Sequence, residues 1–421
     1  MEYEITLTTL TYGGDAMGRL PDKRAVFVPF GLPGEKVRVR LVEEKKNFAR
    51  GEIVEILEPS PDRIDAKCKH FGECGGCHYQ NMPYEKQLRA KTDILIDQLK
   101  RIGKIENPPV KPMVACSNPW NYRNHVQFHL AEDGKLGYVS SLSGAAATAE
   151  AQSKRDGGPA FMPITECHLP EPSIDTLWHQ LEFEPETNIE RVSLRAGMEG
   201  DLMLVLESES PETPELEIEA GISITHVFEE NTVVIAGSDH LLMRVLDRDF
   251  KVSAASFFQV NTVMAGKMVE HLITQLPITQ STSLLDVYCG VGLFSAFLSP
   301  KCGRVIGIES SESACEDFTV NLDEFDNVEL YEGEAEAVIP HLEANPDVVL
   351  VDPPRAGLDK AVLDGILKLS PSLIAYVSCD PSTLARDAAR LINGGYALKE
   401  VAPFDLFPQT YHIESISIFE R

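Results

Sequence analysis

Near the carboxyl end, two residues have the type and placement to do chemistry. Cys379 stands in Ser378-Cys379-Asp380-Pro381, directly after the apolar run 373–377. That run reads as a buried strand, so the thiol emerges at a strand's carboxyl end, where open α/β sheets gather ligands and chemistry. A second apolar run, 348–351, ends in Asp352-Pro353-Pro354-Arg355. Two parallel strands would set a thiol and a carboxylate on one rim. A lone cysteine in such a place is commonly inert packing. The paired strand ends, with what lies upstream and downstream of them, favour a nucleophile instead.

Other thiols cluster early in the chain. Cys68-x5-Cys74-Gly75-Gly76-Cys77 puts three within ten residues, and Cys167, in Glu166-Cys167-His168-Leu169-Pro170, offers a remote fourth. Four thiolates suit tetrahedral zinc or an iron–sulfur cluster, and spacing alone does not choose between them. Cys116, Cys289, Cys302 and Cys315 read as small packing residues.

From about residue 251 the pattern alternates strand and helix, with strand-like runs at 284–288, 305–308, 348–351, 373–377 and 415–419 and a helix over 262–276. This is a doubly wound, Rossmann-like α/β domain spanning 251–421. Its first strand feeds Asp286-Val287-Tyr288-Cys289-Gly290-Val291-Gly292, a glycine-bearing turn that lets backbone approach a ligand. The next strand ends in Glu309, placed to accept hydrogen bonds from ribose hydroxyls. NAD and S-adenosylmethionine sites both use such a turn. The turn is not Gly-x-Gly-x-x-Gly, and the Asp-Pro-Pro strand end suits nucleobase-directed methyl transfer, so S-adenosylmethionine is favoured.

Residues 1–59 alternate short strand-like runs with Gly/Pro turns, the pattern of a small β-barrel, and Pro59-Ser60-Pro61 reads as its exit linker. Residues 60–250 read as a central, mixed and mostly β domain that begins with the cysteines. It includes a basic amphipathic helix over 84–102, a low-complexity stretch over 140–158 read as a mobile loop, and an acidic connection over 207–219.

Composition is that of a soluble globular protein, with 43% hydrophobic and 24% charged residues. No apolar stretch is long enough to cross a bilayer, and Met1-Glu2-Tyr3-Glu4 lacks a signal-peptide pattern. The expected location is the cytoplasm, with no membrane partner and no obligate protein partner. Nine cysteines in such a chain suggest metal binding or catalysis rather than disulfides. A net charge of −27 argues on its face against nucleic acid. Its distribution softens that objection, because residues 1–110 hold 18 Lys and Arg against 17 Asp and Glu, while 111–421 hold 20 against 48.

Five segments occur in a telling order. They are Phe257-Phe258-Gln259-Val260-Asn261, Asp286-Val287-Tyr288-Cys289-Gly290, Asp352-Pro353-Pro354-Arg355, Ser378-Cys379-Asp380-Pro381 and Phe407-Pro408-Gln409-Thr410-Tyr411-His412-Ile413-Glu414. In these the chain resembles the RNA (uracil-5-)-methyltransferase family, which makes 5-methyluridine in tRNA and rRNA, with a TRAM-like (OB-like) barrel at its start. The resemblance implies Cys379 as nucleophile and Glu414 as base, with Gln259, Tyr288, Glu309 and Asp352 contacting S-adenosylmethionine. Leu293 stands where several members carry a cofactor-touching asparagine. The resemblance further implies a [4Fe-4S] cluster on Cys68, Cys74, Cys77 and Cys167, and an RNA partner, rRNA ahead of tRNA.

The residues suit that chemistry. Carbon 5 of uracil is a poor nucleophile until a thiolate adds at carbon 6. The carbon 5 proton must then leave before the thiol can be eliminated, which requires a positioned base. Arg355 reads equally as an aid to the enolate or phosphate and as a structural ion-pair partner. His412 reads as a surface or core histidine, and Gln259 taken alone as a helix-start residue. Two rivals are weaker. A radical methylthiotransferase fails on cysteine spacing and barrel position. A non-catalytic RNA-binding factor with a relic cofactor site is disfavoured by Cys379, Glu414, Asp352 and the glycine turn occurring together.

Overall fold

Short strands with one buried face close the amino-terminal end of the chain on itself. In this computed structural model, which describes residues 2–131, 133–141, 161–185, 187–214, 221–229 and 231–421, five strands form a closed barrel in the order β1-β2-β3-β5-β4. They are β1 (Glu2–Leu10), β2 (Ala16–Arg19), β3 (Ala25–Val28), β4 (Lys36–Glu44) and β5 (Phe48–Glu58). Ile5, Leu7, Val26, Val28, Val37, Val39 and Ala49 point inward and are buried, as a two-residue period demands. Ser60 is no free linker. Its amide donates to Glu35 Oε1 at 3.3 Å, and Arg63 binds the same carboxylate at 2.5 Å.

Helix α1 (Tyr84–Arg101) follows the cysteine segment. Ile94, Leu95 and Leu99 supply its buried stripe, but so does Lys91, whose Nζ donates to Asp405 Oδ1 at 2.5 Å and to the Phe407 carbonyl at 3.0 Å.

The central part is a seven-stranded sheet ordered β12-β11-β10-β9-β6-β7-β8. Its strands are β6 (His125–Leu130), β7 (Leu136–Val139), β8 (Phe161–Pro163), β9 (Ile189–Ala196), β10 (Leu202–Ser208), β11 (Ser223–Phe228) and β12 (Asn231–Ala236), with α2 (Pro172–Trp178) against it. Most of the low-complexity stretch, residues 142–160, lies outside the described residues. So do residues 215–220 of the acidic connection, whose Glu207 and Ser208 belong to β10. A hairpin, β13 (His240–Val245) with β14 (Arg248–Ser253), leads into the last sheet.

The carboxyl-terminal sheet is ordered β17-β16-β15-β18-β19-β21-β20. It comprises β15 (Ser283–Val287), β16 (Arg304–Glu309), β17 (Val328–Glu332), β18 (Val348–Val351), β19 (Leu373–Ser378), β20 (Ala397–Phe404) and β21 (Glu414–Glu420). Helices α3 (Thr262–Gln275), α4 (Leu293–Leu298), α5 (Glu312–Asn321), α6 (Ala335–Val338), α7 (Lys360–Leu369) and α8 (Pro381–Asn393) cover it. All four residues of β18 and all six of β19 are buried, hence their continuous apolar runs. Strand order reverses between β15 and β18, which opens a crevice at their carboxyl ends. The outer edge of β20 is not bare. Lys111 N donates to the Val401 carbonyl and Val114 N to the Pro403 carbonyl, both at 2.8 Å, so the 109–114 segment runs along it. Among the described residues no helix is long and apolar enough to cross a membrane.

Candidate active site

The geometry at Cys379 follows from how β19 ends. Pro381 occupies the first turn of α8, and Asp380 caps that helix by accepting from Ser382 N at 2.8 Å and Thr383 N at 3.1 Å. Ser378 Oγ accepts from Asp380 N at 3.2 Å and donates to Asp380 O at 3.0 Å, so the half-buried Cys379 is bracketed on both sides. β21 runs antiparallel to β19 with Ser378 opposite Ser415. Cys379 and Glu414 are the residues immediately beyond that last pair, and the charge of Glu414 acts on the thiol. Burial pushes the Cys379 thiol up to about 12, with Glu414 and Asp352 adding to it and Arg355 opposing. Burial likewise raises Glu414 well above the carboxylate range, Asp352 adds, and Arg355 and Lys91 oppose.

The crevice beside this pair is acidic. Val287 pairs with Val351, and Asp352 N donates to the Val287 carbonyl at 3.2 Å, so Asp352 borders the glycine turn. Burial lifts Asp352 to about 7. Asp286 is fully buried and is lifted to about 7 chiefly by that burial, against a 2.6 Å hydrogen bond from Ser295 and with Asp352 and Glu309 adding. Its Oδ1 has no partner. Tyr288, Gly290 and Gly292 all take left-handed backbone, with φ of 64°, 55° and 90°. A Cβ on Gly292 would stand 2.3 Å from Leu322, whereas one on Gly290 would meet nothing within 4 Å. Glu309 steadies the turn: its Oε2 accepts from Gly290 N and its Oε1 from Ser310 N and Ser311 N, each at 2.9 Å. Gln259 is half-buried and anchored through its carbonyl, which accepts from Asn124 Nδ2 at 3.0 Å. Asn261, not Gln259, caps α3. Leu293 is buried and apolar at the start of α4.

Sequence reasoning named Arg355 and His412 without joining them, and it missed Tyr12 and Lys91. Arg355 Nη2 donates to His412 Nδ1 at 2.6 Å, so its bond here is to an imidazole rather than a carboxylate. Burial and Arg355 push His412 down to about 3, which keeps the ring neutral and accepting. The Tyr12 hydroxyl, on the turn between β1 and β2, donates to Asp380 Oδ2 at 2.9 Å. Burial and that carboxylate hold the phenol above its ordinary range, so it stays a donor. Lys91 was read only as part of a basic helix. A lysine one turn below Leu95 on the buried face was the available signal.

The sequence matches the family described as tRNA (Uracil-5-)-methyltransferase over residues 238–421 and the TRAM domain over residues 1–54. It is 34% identical to a protein of Halalkalibacterium halodurans named an uncharacterized RNA methyltransferase, across 99% of this chain and 96% of that one. A protein of the same description from Thermosynechococcus vestitus is 32% identical, across 99% and 97%. The chain belongs to this family of RNA (uracil-5-)-methyltransferases. The fold is similar to that of a solved Pyrococcus abyssi tRNA (uracil-54, C5)-methyltransferase in complex with S-adenosyl-L-homocysteine. That likeness has a TM-score of 0.73 at 23% identity, covering 99% of this chain and 100% of that one.

In this RNA methyltransferase the four early cysteines lie on one side of the barrel, around a shared cavity. Cys77 feels the charges of Cys167, Cys74 and Cys68, and Cys167 those of Cys74 and Cys68. Burial raises all four thiols, Cys167 to about 12. The Cys68 amide is held by Gln80 Oε1 at 3.0 Å and the Lys69 amide by Glu166 Oε1 at 2.6 Å, which ties the Cys68 loop to the segment carrying Cys167. Among the described residues no three His, Cys, Asp or Glu side chains are arranged to hold a metal ion. All four thiols line a cavity of about 1180 Å³, which also reaches Arg50, Phe48, Tyr411 and His412.

Proposed function

We propose that this RNA methyltransferase transfers a methyl group from S-adenosylmethionine to carbon 5 of a uridine through a covalent Cys379 adduct. The observation that supports the reading is the β19–β21 register: its last pair is Ser378 with Ser415, and Cys379 and Glu414 are the next residues beyond it. The crevice fits the cofactor: Gly290 leaves open the space a Cβ would fill, and the buried Asp286 Oδ1 beside the turn has no partner. Bound there, S-adenosylmethionine would supply a methyl group on a positively charged sulfur, with Gln259, Tyr288, Glu309 and Asp352 as its contacts.

Cys379 gives its proton to water and its sulfur bonds to carbon 6, while the pair of the carbon 5–carbon 6 double bond moves into the enolate of carbon 5 and the carbon 4 carbonyl. Arg355, the nearby cation, offsets that charge. Carbon 5 bonds to the methyl carbon as the methyl–sulfur bond breaks, and that bond's electron pair stays on the sulfur of the departing S-adenosylhomocysteine. Glu414 then accepts the carbon 5 proton, the double bond re-forms and the carbon–sulfur bond breaks.

Cys68, Cys74, Cys77 and Cys167 are proposed as ligands of a [4Fe-4S] cluster with a structural role, bracing the segment before α1 against the central sheet. The reading rests on the Cys-x5-Cys-Gly-Gly-Cys spacing with its remote fourth cysteine and on all four residues lining one cavity. The proposed division is a TRAM barrel at 1–59, a central unit at 60–250 and a methyltransferase unit at 251–421, acting in the cytoplasm on folded RNA, with ribosomal RNA the preferred substrate.

The test uses transcripts of ribosomal and transfer RNA with labelled cofactor. Cys379→Ala should lose at least about a thousandfold in methyl transfer while S-adenosylhomocysteine still binds. Glu414→Gln should accumulate an RNA–protein band on a denaturing gel. Full turnover by Cys379→Ala would end the covalent reading, and no trapped band would remove Glu414 as base.

A further inference from the structure

We propose that Tyr12, supplied by the amino-terminal barrel, is a positioning residue for Cys379. The inference rests on Cys379 being the nucleophile and adds a residue outside the methyltransferase half. The Tyr12 hydroxyl binds Asp380 Oδ2 at 2.9 Å across 368 residues of chain. Asp380 adjoins Cys379, and its other oxygen is committed to Ser382 and Thr383 at the start of α8. Its backbone closes the bracket with Ser378. The carboxylate thus joins the helix, the nucleophile's turn and the barrel.

Tyr12 has a second contact, on the base side of the site. Its ring meets Tyr411 edge-on at 5.7 Å, Tyr411 tilts against His412 at 4.4 Å, and His412 lies two residues before Glu414. The Tyr12-Gly13-Gly14 turn is itself seated. Gly13 and Gly14 take φ of 106° and 95°, and a Cβ on Gly14 would stand 3.1 Å from His78. His78 packs edge-on to Tyr411 at 4.6 Å, and its amide donates to the Gln409 carbonyl. One barrel side chain therefore touches both loops that carry the reacting groups. Without the hydroxyl, Asp380 Oδ2 loses its partner. The bracket around the sulfur loosens, and a less compensated negative charge beside it disfavours the thiolate.

The experiment measures single-turnover adduct formation by the full-length protein on RNA transcribed with 5-fluorouridine, where carbon 5 carries no removable proton and the adduct persists. Tyr12→Phe keeps the ring and removes the donor. Asp380→Ser keeps a helix cap and cannot reach Tyr12. Each should slow adduct formation at saturating RNA and cofactor by about tenfold or more. RNA and S-adenosylhomocysteine affinities should hold, the pH midpoint should shift upward, and the double variant should be no slower than the slower single one. An unchanged rate in Tyr12→Phe, or a loss confined to RNA affinity, would overturn the inference and leave Cys379 as nucleophile. A natural enzyme that forms no adduct on this RNA would overturn both.

Discussion

Alanine at Gly290 and at Gly292 should separate folding from cofactor binding. Both positions have left-handed backbone, which costs an alanine about 1–2 kcal/mol. At Gly292 the new methyl would also sit 2.3 Å from Leu322 and 3.0 Å from Phe318, an overpacking cost of about 1–3 kcal/mol. Gly292→Ala should therefore lose about 2–5 kcal/mol of stability. Gly290→Ala should lose only the backbone part, because nothing stands within 4 Å of its methyl. That methyl would instead occupy the space assigned to the cofactor. Thermal unfolding and calorimetric titration with S-adenosylhomocysteine read the two effects. The expected pattern is a clearly lowered midpoint for Gly292→Ala, and a nearly normal midpoint with at least about tenfold weaker binding for Gly290→Ala. Full affinity in a well-folded Gly290→Ala would refute the placement of the cofactor over this turn.

Two further outcomes follow from buried charge. Asp286 holds its proton up to about pH 7 in the folded chain, against an ordinary value of 3.8. The folded state therefore binds the extra proton between those values. The resulting stability is complete below about pH 4 and is lost as pH rises toward 7, an upper bound of about 4 kcal/mol. Asp286→Asn should flatten that part of the pH profile in urea unfolding, and an unchanged slope would contradict the assignment. Lys91→Met leaves Asp405 buried without its 2.5 Å partner and should cost about 3–5 kcal/mol. Lys91→Met with Asp405→Asn should recover much of the loss, and no recovery would show that packing, not charge, sets the cost.

How much of this was legible depended on burial and on distance along the chain. The runs at 348–351 and 373–377 were readable because β18 and β19 are covered on both faces, so every side chain is apolar. β17 and β20 escaped because they lie toward the sheet's edges, where polar residues interrupt the pattern, and β2 because four residues including a glycine carry no period. Cys379 was visible from its strand end, while the role of Glu414 came only through resemblance. Tyr12 and Lys91 could not be paired from sequence, since their partners lie 368 and 314 residues away. Arg355 was open between two readings, and its bond to His412, 57 residues away, was in neither.

The strip at 109–114 and the lysine of α1 have a bearing on protein engineering. A fragment begun at residue 251 would contain every strand of the last sheet, yet it would present β20 with a raw hydrogen-bonding border and Asp405 with no counter-ion. Such a piece invites aggregation.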